Sequence, residues 1–427
     1  MHRSKRNGML YPITSSAIES TLSEILMQSA FAVLRLFRQG VHCMQRSTVI
    51  GEAVARMLVG IGVGATITGI AVAAPQASSY QNLFTPGVAR ALDATIARII
   101  KQANLPSVAV LAAIPDRGRY VFVGGVADLR TRATRRFEQP FRIASVTKTF
   151  VATAVLQLAD RGQLQKTDLL EKWFPDFPNS GKITVDDLLR MRSGIAAQSD
   201  EEINDAIYDH PTISAPTLVQ QMAESAKRRD QFKPPDQEGV YTNLNYFILG
   251  GIVQKITGAD VGVFITDNII HKLGLRQTSY PIRDDLPGGL HGYGWNPKTG
   301  RFDDKTEFNP ALGGSAGAMI SSLADLGEYV RVLCTGGLLR PETQRARMEG
   351  QALIGTTTQY GEGVITGPGA CGHSGTVPGF TTDMYYFVER NATLIINVNR
   401  LDRDDKPRTS PVLKAVSDTL AAQFGRH

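Results

Sequence analysis

The 427-residue sequence lacks the patterns of disulfide-rich, metal-binding and repeat proteins. Its three cysteines, Cys43, Cys334 and Cys371, are too few for a disulfide framework and lack the spacing of a metal site. Internal repeats and low-complexity tracts are also missing. We interpret the cysteines as lone buried thiols. Pairing of the last two stays open as an alternative if Cys43 is removed with an N-terminal leader.

The sequence has a formal net charge of +6 at pH 7, but the part that follows the N-terminal segment is not strongly basic. The segment before Tyr80 has a net charge of +4, which leaves only +2 for the rest of the chain. Hydrophobic residues make up 42% of the sequence, enough for a sizeable core. We therefore expect a globular protein with no electrostatic basis for nucleic-acid binding.

Residues 57–74 are uncharged, apolar and rich in glycine. Arg46 and Arg56 precede this stretch, and the small residues of Ala71–Ala77 lie at its end. This order is typical of a secretory signal peptide, so 44–79 is predicted to be a cleaved leader. The alternative is an uncleaved anchor that attaches the protein to the membrane through the same apolar stretch. Both predict export to a secreted, periplasmic or envelope-associated location.

Residues 1–43 fit this leader poorly and form an unassigned N-terminal extension. Apolar residues recur at helical spacing from Ile18 to Phe37, which indicates an amphipathic helix at a membrane surface. The alternative, which we prefer, is that synthesis begins at Met44 and the extension is not normally made.

The remaining segment, 80–427, has strand-like sequences near both ends. Ser107–Ile114 and Arg119–Val126 predict one hairpin, and Asp383–Glu389 with Ala392–Asn399 predicts another. Apolar residues at helical spacing predict helices between and around them. The predicted helices are Pro86–Ala103, Ser145–Gly162, Thr184–Met191, Thr217–Ala226, Asn243–Thr257, Leu323–Leu333 and Pro411–Phe424.

This order of elements predicts an α/β fold of the α+β type. An antiparallel sheet, built from both chain ends and flanked by helices, would carry a mostly helical inserted lobe at about 150–285. Ser145 begins the first helix of this insert. That position predicts a place in the cleft between two lobes, where ligand sites commonly lie.

Ser145 and Lys148 lie one helical turn apart. A serine hydroxyl is a poor nucleophile and needs a base beside it, and a lysine three residues later shares its helix face. Of the fourteen lysines, only Lys148 has a serine three positions before it. The pair alone is compatible with a nucleophile and its base, or with the start of a surface helix.

Two further segments, Tyr241–Asn243 and His373–Gly375, supply candidate partners. A tyrosine near a lysine has its phenol pKa lowered toward that of a base, and an asparagine amide can orient a substrate carbonyl. A glycine after a small residue on an edge strand lets a substrate backbone pair alongside. Taken singly, each residue also has a structural interpretation. Asn243 could simply cap a helix, and His373 could be an isolated histidine outside any site.

In this order the three motifs resemble those of the penicillin-recognising serine hydrolases: class C β-lactamases, DD-carboxypeptidases and related esterases. The resemblance covers nearly all of 88–424 and implies a β-lactamase/transpeptidase-like fold. The segments that extend it are Phe141–Ala144, Ile183–Leu189, Arg192–Gly194, Ser315–Ser322 and Gly372–Phe380.

The resemblance implies a catalytic group of Ser145, Lys148, Tyr241 and His373. Ser145 would be the nucleophile and form an acyl-enzyme, while Lys148 and Tyr241 share the acid–base work as a coupled pair. His373 would donate to the acyl group or adjust the charge near Lys148. No metal or cofactor is implied.

The resemblance also implies a substrate-binding group. Asn243 would hold the substrate amide, with Ser374 and Gly375 beside it on the third motif. The backbone N–H groups of Ser145 and Thr376 would form the oxyanion hole. A second literal match to the third motif, Lys298–Gly300, lies in a polar turn before Ser315–Ser322, so we do not assign it to the site.

The histidine in the third motif favours DD-carboxypeptidases and esterases over class C β-lactamases, which have lysine there. Carboxypeptidase relatives also have an arginine shortly after a Tyr-Gly-x-Gly segment to bind a terminal carboxylate. Here Tyr360–Gly363 is followed by Val364–Thr366, without arginine. This departure weakens the prediction that the site binds a free carboxylate.

We predict an exported serine acyl-hydrolase, nearest the D-alanyl-D-alanine carboxypeptidases that act on cell-wall peptides. A carboxylesterase or a β-lactamase of the same family is the alternative. The substrate is accordingly a small molecule, a peptide, a β-lactam or an ester. An alternative of another class is a penicillin-binding or muropeptide-binding protein that is acylated without turnover.

Overall fold

The computed structural model describes residues 84–115, 117–196, 207–367, 369–404 and 406–424. The predicted extension and leader, 1–79, lie outside these described residues. Within them, no single helix is long and apolar enough to cross a membrane. Two consecutive helical segments, Asn243–Thr257 and Val261–Leu273, are long and apolar enough when taken together, but they are bent by 80° at the break between them.

An eight-stranded antiparallel sheet lies at the centre of the described chain, in the order β2-β1-β12-β11-β10-β9-β8-β7. The strands of the described residues are β1 (Ser107–Ile114), β2 (Gly118–Gly125), β3 (Phe141–Arg142), β4 (Tyr293–Asn296), β5 (Arg301–Asp304), β6 (Ile320–Ser321), β7 (Gln351–Ala352), β8 (Gln359–Tyr360), β9 (Ile365–Gly367), β10 (Ala370–Val377), β11 (Phe380–Phe387) and β12 (Ala392–Val398). Strands β1 and β12 come from opposite chain ends and pair directly, with Val108 opposite Val398. The predicted sheet built from both chain ends is confirmed.

Helices cover both faces of this sheet and form the insert between its two halves. Within the described residues they are α1 (Pro86–Gln102), α2 (Thr147–Asp160), α3 (Val185–Leu189), α4 (Leu218–Ala226), α5 (Asn243–Thr257), α6 (Val261–Ile265), α7 (His271–Leu273), α8 (Pro310–Gly317), α9 (Leu323–Thr335), α10 (Pro341–Arg347) and α11 (Ser410–Phe424). Local sequence sets several of their ends. Thr184 and Asp187 form a capping box at the start of α3, and Gly258, with φ 75°, ends α5.

Two hydrophobic cores lie on opposite faces of the sheet. Strand β12 is buried along its whole length, and its side chains alternate between the cores. Leu394 and Ile396 face the smaller core under α1 and α11, whereas Ile395 faces the larger core that includes α2, α5 and α9. Such two-sided burial explains why this strand has an almost uninterrupted apolar sequence.

Cys334 and Cys371 form a disulfide, so our interpretation of them as lone thiols is wrong. Cys334 lies in the last turn of α9 and Cys371 near the start of β10, with their Cα atoms 6.0 Å apart. Both residues are buried. Because α9 packs across the sheet, residues 37 positions apart reach disulfide distance, a proximity that no local sequence pattern reveals.

Candidate active site

Ser145 lies in a one-turn 3₁₀ segment, Ala144–Val146, that joins β3 to α2. Ala144 has φ 49°, in the left-handed region that residues other than glycine seldom adopt. Ser145 is partly exposed, whereas Ala144 and Val146 are buried on either side of it. The turn therefore anchors its flanks in the core and leaves the Ser145 side chain accessible.

Lys148, on the first turn of α2, holds its amine against Ser145. Its Nζ lies 2.9 Å from Ser145 Oγ and donates to the Ala316 carbonyl at 2.9 Å. Lys148 is fully buried, and a buried amine costs free energy unless hydrogen bonds satisfy it. Ala316 lies in α8 just after a break at Gly314, where φ is 43° and ψ is −141°. This break lets a helix residue direct its carbonyl at Lys148.

The second motif reaches the same place from the start of α5. Lys148 Nζ lies 5.0 Å from the centroid of the Tyr241 ring. Thr242 is the N-cap residue of α5, so Tyr241 precedes the helix and Asn243 is its first residue. Asn243 is exposed, which leaves its amide accessible to a substrate. The predicted residues Ser145, Lys148 and Tyr241 are thus brought together.

His373, from the third motif, lies 6.3 Å from the Tyr241 ring, centroid to centroid. Its Nδ1 is 2.5 Å from the Ser374 carbonyl oxygen, and its Nε2 is 3.1 Å from Tyr360 Oη. A carbonyl only accepts, so Nδ1 carries the proton and Nε2 accepts from the Tyr360 hydroxyl. Burial, together with the charge of Lys148, lowers the pKa of His373 to about 3. The imidazole is neutral, and no ring nitrogen is left to donate to an acyl group.

The third motif lies on a strand whose edge is open. Strand β11 pairs with β10 along its full length, whereas β9 pairs only with Ala370–Gly372. Within the described residues, 373–377 therefore has a strand neighbour on one side alone. Ser374 and Thr376 are partly exposed on this stretch. An extended backbone can pair along such an edge.

Gly375 lets this open stretch lie directly against the turn that carries Ser145. A methyl group at Gly375 would lie 2.4 Å from Ile143 O and 2.9 Å from Ser145 N. Only a residue without a side chain permits this approach. The two predicted oxyanion donors, on Ser145 and Thr376, consequently lie on segments in direct contact.

A buried ion cluster fixes the segment next to the site. Glu362 is fully buried, and its Oε1 is 2.5 Å from Lys166 Nζ and 2.8 Å from Arg190 Nη2. Burial raises the pKa of Glu362, and the two cations oppose that rise. The cluster lies two residues after Tyr360 and ties the Tyr360–Gly363 segment to the helical insert.

Two contacts of the site were not predicted from the sequence. Ala316 acts through its backbone carbonyl, for which no side-chain pattern exists, and Tyr360 appeared only as the first residue of a Tyr-Gly-x-Gly segment. The Lys298–Gly300 match lies in an exposed turn between β4 and β5, as predicted.

The described groups suit proton transfer to and from a serine. No set of three or more His, Cys, Asp or Glu side chains in the described ranges lies together as a metal site. Around Ser145 there are instead an amine, a phenol and a neutral imidazole. An amine in contact with a serine hydroxyl can take its proton as the oxygen attacks an acyl carbon.

Comparison with known proteins gives consistent matches. A family model described as Beta-lactamase matches residues 92–417. Esterase EstB from Burkholderia gladioli is 25% identical over 355 residues, which cover 72% of this chain and 89% of EstB. Penicillin-binding protein 4* from Bacillus subtilis (strain 168) is 24% identical over 316 residues, covering 70% of this chain and 69% of that protein.

Among solved structures, a D-stereospecific amidohydrolase from Streptomyces sp. is similar, with a TM-score of 0.65 and 25% identity. The match covers 77% of this chain and 97% of that one. The matches cover only part of some curated relatives: the chain spans 62–63% of the length of two of them.

Proposed function

Because the chain belongs to the Beta-lactamase family of serine hydrolases, we propose that it is an exported acyl-hydrolase that forms an acyl-Ser145 ester. One observation carries this proposal: Lys148 Nζ lies 2.9 Å from Ser145 Oγ and is held there by the Ala316 carbonyl. A serine hydroxyl becomes an effective nucleophile only with a base in such contact. Export is supported by the leader-like sequence and by the disulfide, which persists in oxidising compartments.

The proposed reaction has two acyl-transfer steps. In the first, Ser145 Oγ attacks the substrate carbonyl carbon, its proton passes to the Lys148–Tyr241 pair, and that pair protonates the leaving group. In the second, water attacks the acyl carbon, and the same pair moves the water proton to Ser145 Oγ. The N–H groups of Ser145 and Thr376 would stabilise the oxyanion in both steps, each by about 3 kcal/mol.

We propose D-amino-acid peptides of the D-alanyl-D-alanine type as the first substrate class. The open edge at 373–377 supports this choice, because a peptide backbone can pair there beside Ser145. A penicillin-binding protein and a D-stereospecific amidohydrolase among the similar proteins also support it.

A second candidate is an ester or amide whose leaving group has no carboxylate. Two observations favour it. No arginine follows Gly363 in Val364–Thr366, and both ring nitrogens of His373 are engaged within the protein. A leaving-group carboxylate would therefore lack the cationic partner expected on that segment. The similarity to esterase EstB points in the same direction.

The nucleophile is tested by covalent labelling with a fluorescent penicillin and a fluorophosphonate. We expect both probes to label the wild-type protein and the control variant Ser410→Ala. Ser410 is the first residue of α11, the helix that packs on the smaller core, on the opposite face of the sheet from Ser145. We expect Ser145→Ala to lose the label. Persistent labelling of Ser145→Ala would show that another residue is acylated.

The substrate class is tested by comparing kcat/KM on a D-Ala-D-Ala peptide, a chromogenic cephalosporin and a short-chain ester. A preference for the peptide supports the first class, and a preference for the ester supports the second. Labelling of Ser145 with turnover well below about 1 s⁻¹ on all three would favour a binding protein without turnover.

A further inference from the structure

We propose that Tyr360 is a positioning residue of the site: its hydroxyl donates to His373 Nε2 and, together with the Ser374 carbonyl, holds the imidazole in one neutral tautomer beside Lys148 and Tyr241. The proposal deepens the proposed function. Only the role of the tautomer in catalysis rests on the proposed acyl transfer. The tautomer itself follows from the contacts of two fully buried side chains.

Both nitrogens of the imidazole have a hydrogen-bond partner, and the partner of Nδ1 has a fixed polarity. The Ser374 carbonyl, 2.5 Å from Nδ1, can only accept, so it requires an N–H at Nδ1. The Tyr360 hydroxyl, 3.1 Å from Nε2, can donate to the lone pair that remains there. A neutral imidazole has one donor and one acceptor nitrogen, and these two partners match one tautomer.

The Tyr360 hydroxyl is itself held in place by the strands around it. Tyr360 on β8 pairs with Ile365 of β9 on one side and with Gln351 of β7 on the other. Two residues later, the Glu362 N–H donates to the Arg347 carbonyl at 3.0 Å, and the Glu362 carboxylate joins the buried ion cluster. The Tyr360 ring also lies edge-on to the Tyr241 ring, with the two ring centroids 6.0 Å apart. The phenol therefore cannot swing away from His373 without disrupting this segment.

The position of Tyr360 determines which groups exchange protons in the site. The charged and titratable groups that face His373 are Lys148 on α2, Tyr241 before α5, and Tyr360 itself. With Nε2 already accepting from Tyr360, the imidazole cannot accept a proton from either of the other two. Proton exchange with Ser145 is thereby confined to the Lys148–Tyr241 pair.

The test is ¹⁵N NMR of the His373 ring in the free protein, with His373→Gln used to assign its signals. We expect the wild type to show the Nδ1–H tautomer throughout pH 5–9. In Tyr360→Phe the donor to Nε2 is lost while the Ser374 carbonyl still requires the N–H at Nδ1, so we expect the Nδ1–H tautomer to remain, the Nε2 signal to shift, and the ring to take up a proton at a higher pH than in the wild type. We also expect kcat/KM to fall about fivefold to tenfold, the effect of one hydrogen bond, and a new ionisation in its pH profile.

Tyr329→Phe is the matched control, because it removes the hydroxyl of another fully buried tyrosine, one that stacks on Phe150 at 3.7 Å. It should leave the tautomer and the pH profile unchanged. An Nε2–H tautomer in the wild type would overturn the proposal even if Tyr360→Phe failed to fold. So would an Nε2 signal and a ring ionisation in a folded Tyr360→Phe protein that match those of the wild type. Failed labelling of Ser145 would instead overturn the proposed function, since the NMR measurement needs no substrate.

Discussion

A single methyl group at Gly375 would collide with the turn that carries Ser145. It would lie 2.4 Å from a backbone oxygen and 2.9 Å from Ser145 N, so either β10 or the turn must move. We expect Gly375→Ala to lower the acylation rate about 100-fold, because small displacements of a nucleophile are costly, and to destabilise the fold by about 1–3 kcal/mol. Stopped-flow acylation and denaturant unfolding measure the two effects.

Gly367→Ala on β9 is the control, since a methyl group there meets nothing within 4 Å. It should acylate at the wild-type rate. Equal acylation rates for Gly375→Ala and the wild type would show that the Ser145 turn does not depend on close contact with β10.

Asp383, on β11, is a fully buried carboxylate whose two oxygens have no hydrogen-bond partner in the described chain. Burial raises its pKa to about 6, against the smaller opposing effect of the Thr409 hydroxyl, which lies nearby but outside hydrogen-bonding geometry. The folded state therefore favours the protonated form. This stabilisation is complete at acidic pH below the unfolded pKa of 3.8 and is lost as pH rises through 6.

Asp383→Asn should accordingly raise the free energy of unfolding at pH 8 by about 2–3 kcal/mol and leave it nearly unchanged at pH 3. Denaturant unfolding at the two pH values measures this. The exposed Asp418→Asn, which loses only a surface ion pair with Lys414, should show a much smaller pH dependence. A gain of equal size at both pH values would contradict the assignment to Asp383 ionisation.

The residues of the site were only partly predictable from the sequence. Ser145, Lys148, Tyr241 and His373 stand out because their side chains form recognisable motifs in a fixed order. The Ala316 carbonyl and the Tyr360 hydroxyl do not, since each acts through a contact made only after distant segments pack. The tautomer of His373 depends on the Ser374 carbonyl and the Tyr360 hydroxyl, and no sequence pattern reveals it.

At the scale of elements, the disulfide ties the last turn of α9 to β10 two residues before His373. Closing a loop over 37 positions restricts the unfolded chain, so we expect Cys334→Ala with Cys371→Ala to lose about 2–4 kcal/mol of stability. Thermal unfolding with and without reductant measures this. Reductant should lower the Tm of the wild type and leave that of the double variant unchanged. Reactive free thiols in the unreduced wild type would contradict the pairing.

Element boundaries set by local sequence were the predictable ones. Asn243–Thr257 is predicted residue by residue, because a glycine ends the helix. Strands β7 and β8, each of two residues, were not predicted. They are too short to have a periodic sequence, and their pairing depends on segments that come together only in the folded sheet.

For the whole molecule, the order of strand-like and helical segments was enough to predict the sheet built from both chain ends. Export remains a prediction, because 44–79 lies outside the described residues. We expect the protein made from Met44 to leave the cytosol with its disulfide formed. Its intact mass should show an N-terminus near Ala71–Ala77. A mass that retains the leader would favour the anchor, and a protein kept in the cytosol would contradict both.

The open edge of β10 also bears on whether two copies of the molecule can pair through this strand. An unpaired strand edge is a template for intermolecular pairing, and exposed edges commonly lead to aggregation. Here the free stretch, 373–377, is only five residues long and is followed by Pro378, which has no N–H to donate. Its middle residue, Gly375, lies against the Ser145 turn. The edge is thus long enough to pair with a short substrate segment and too short to recruit another sheet.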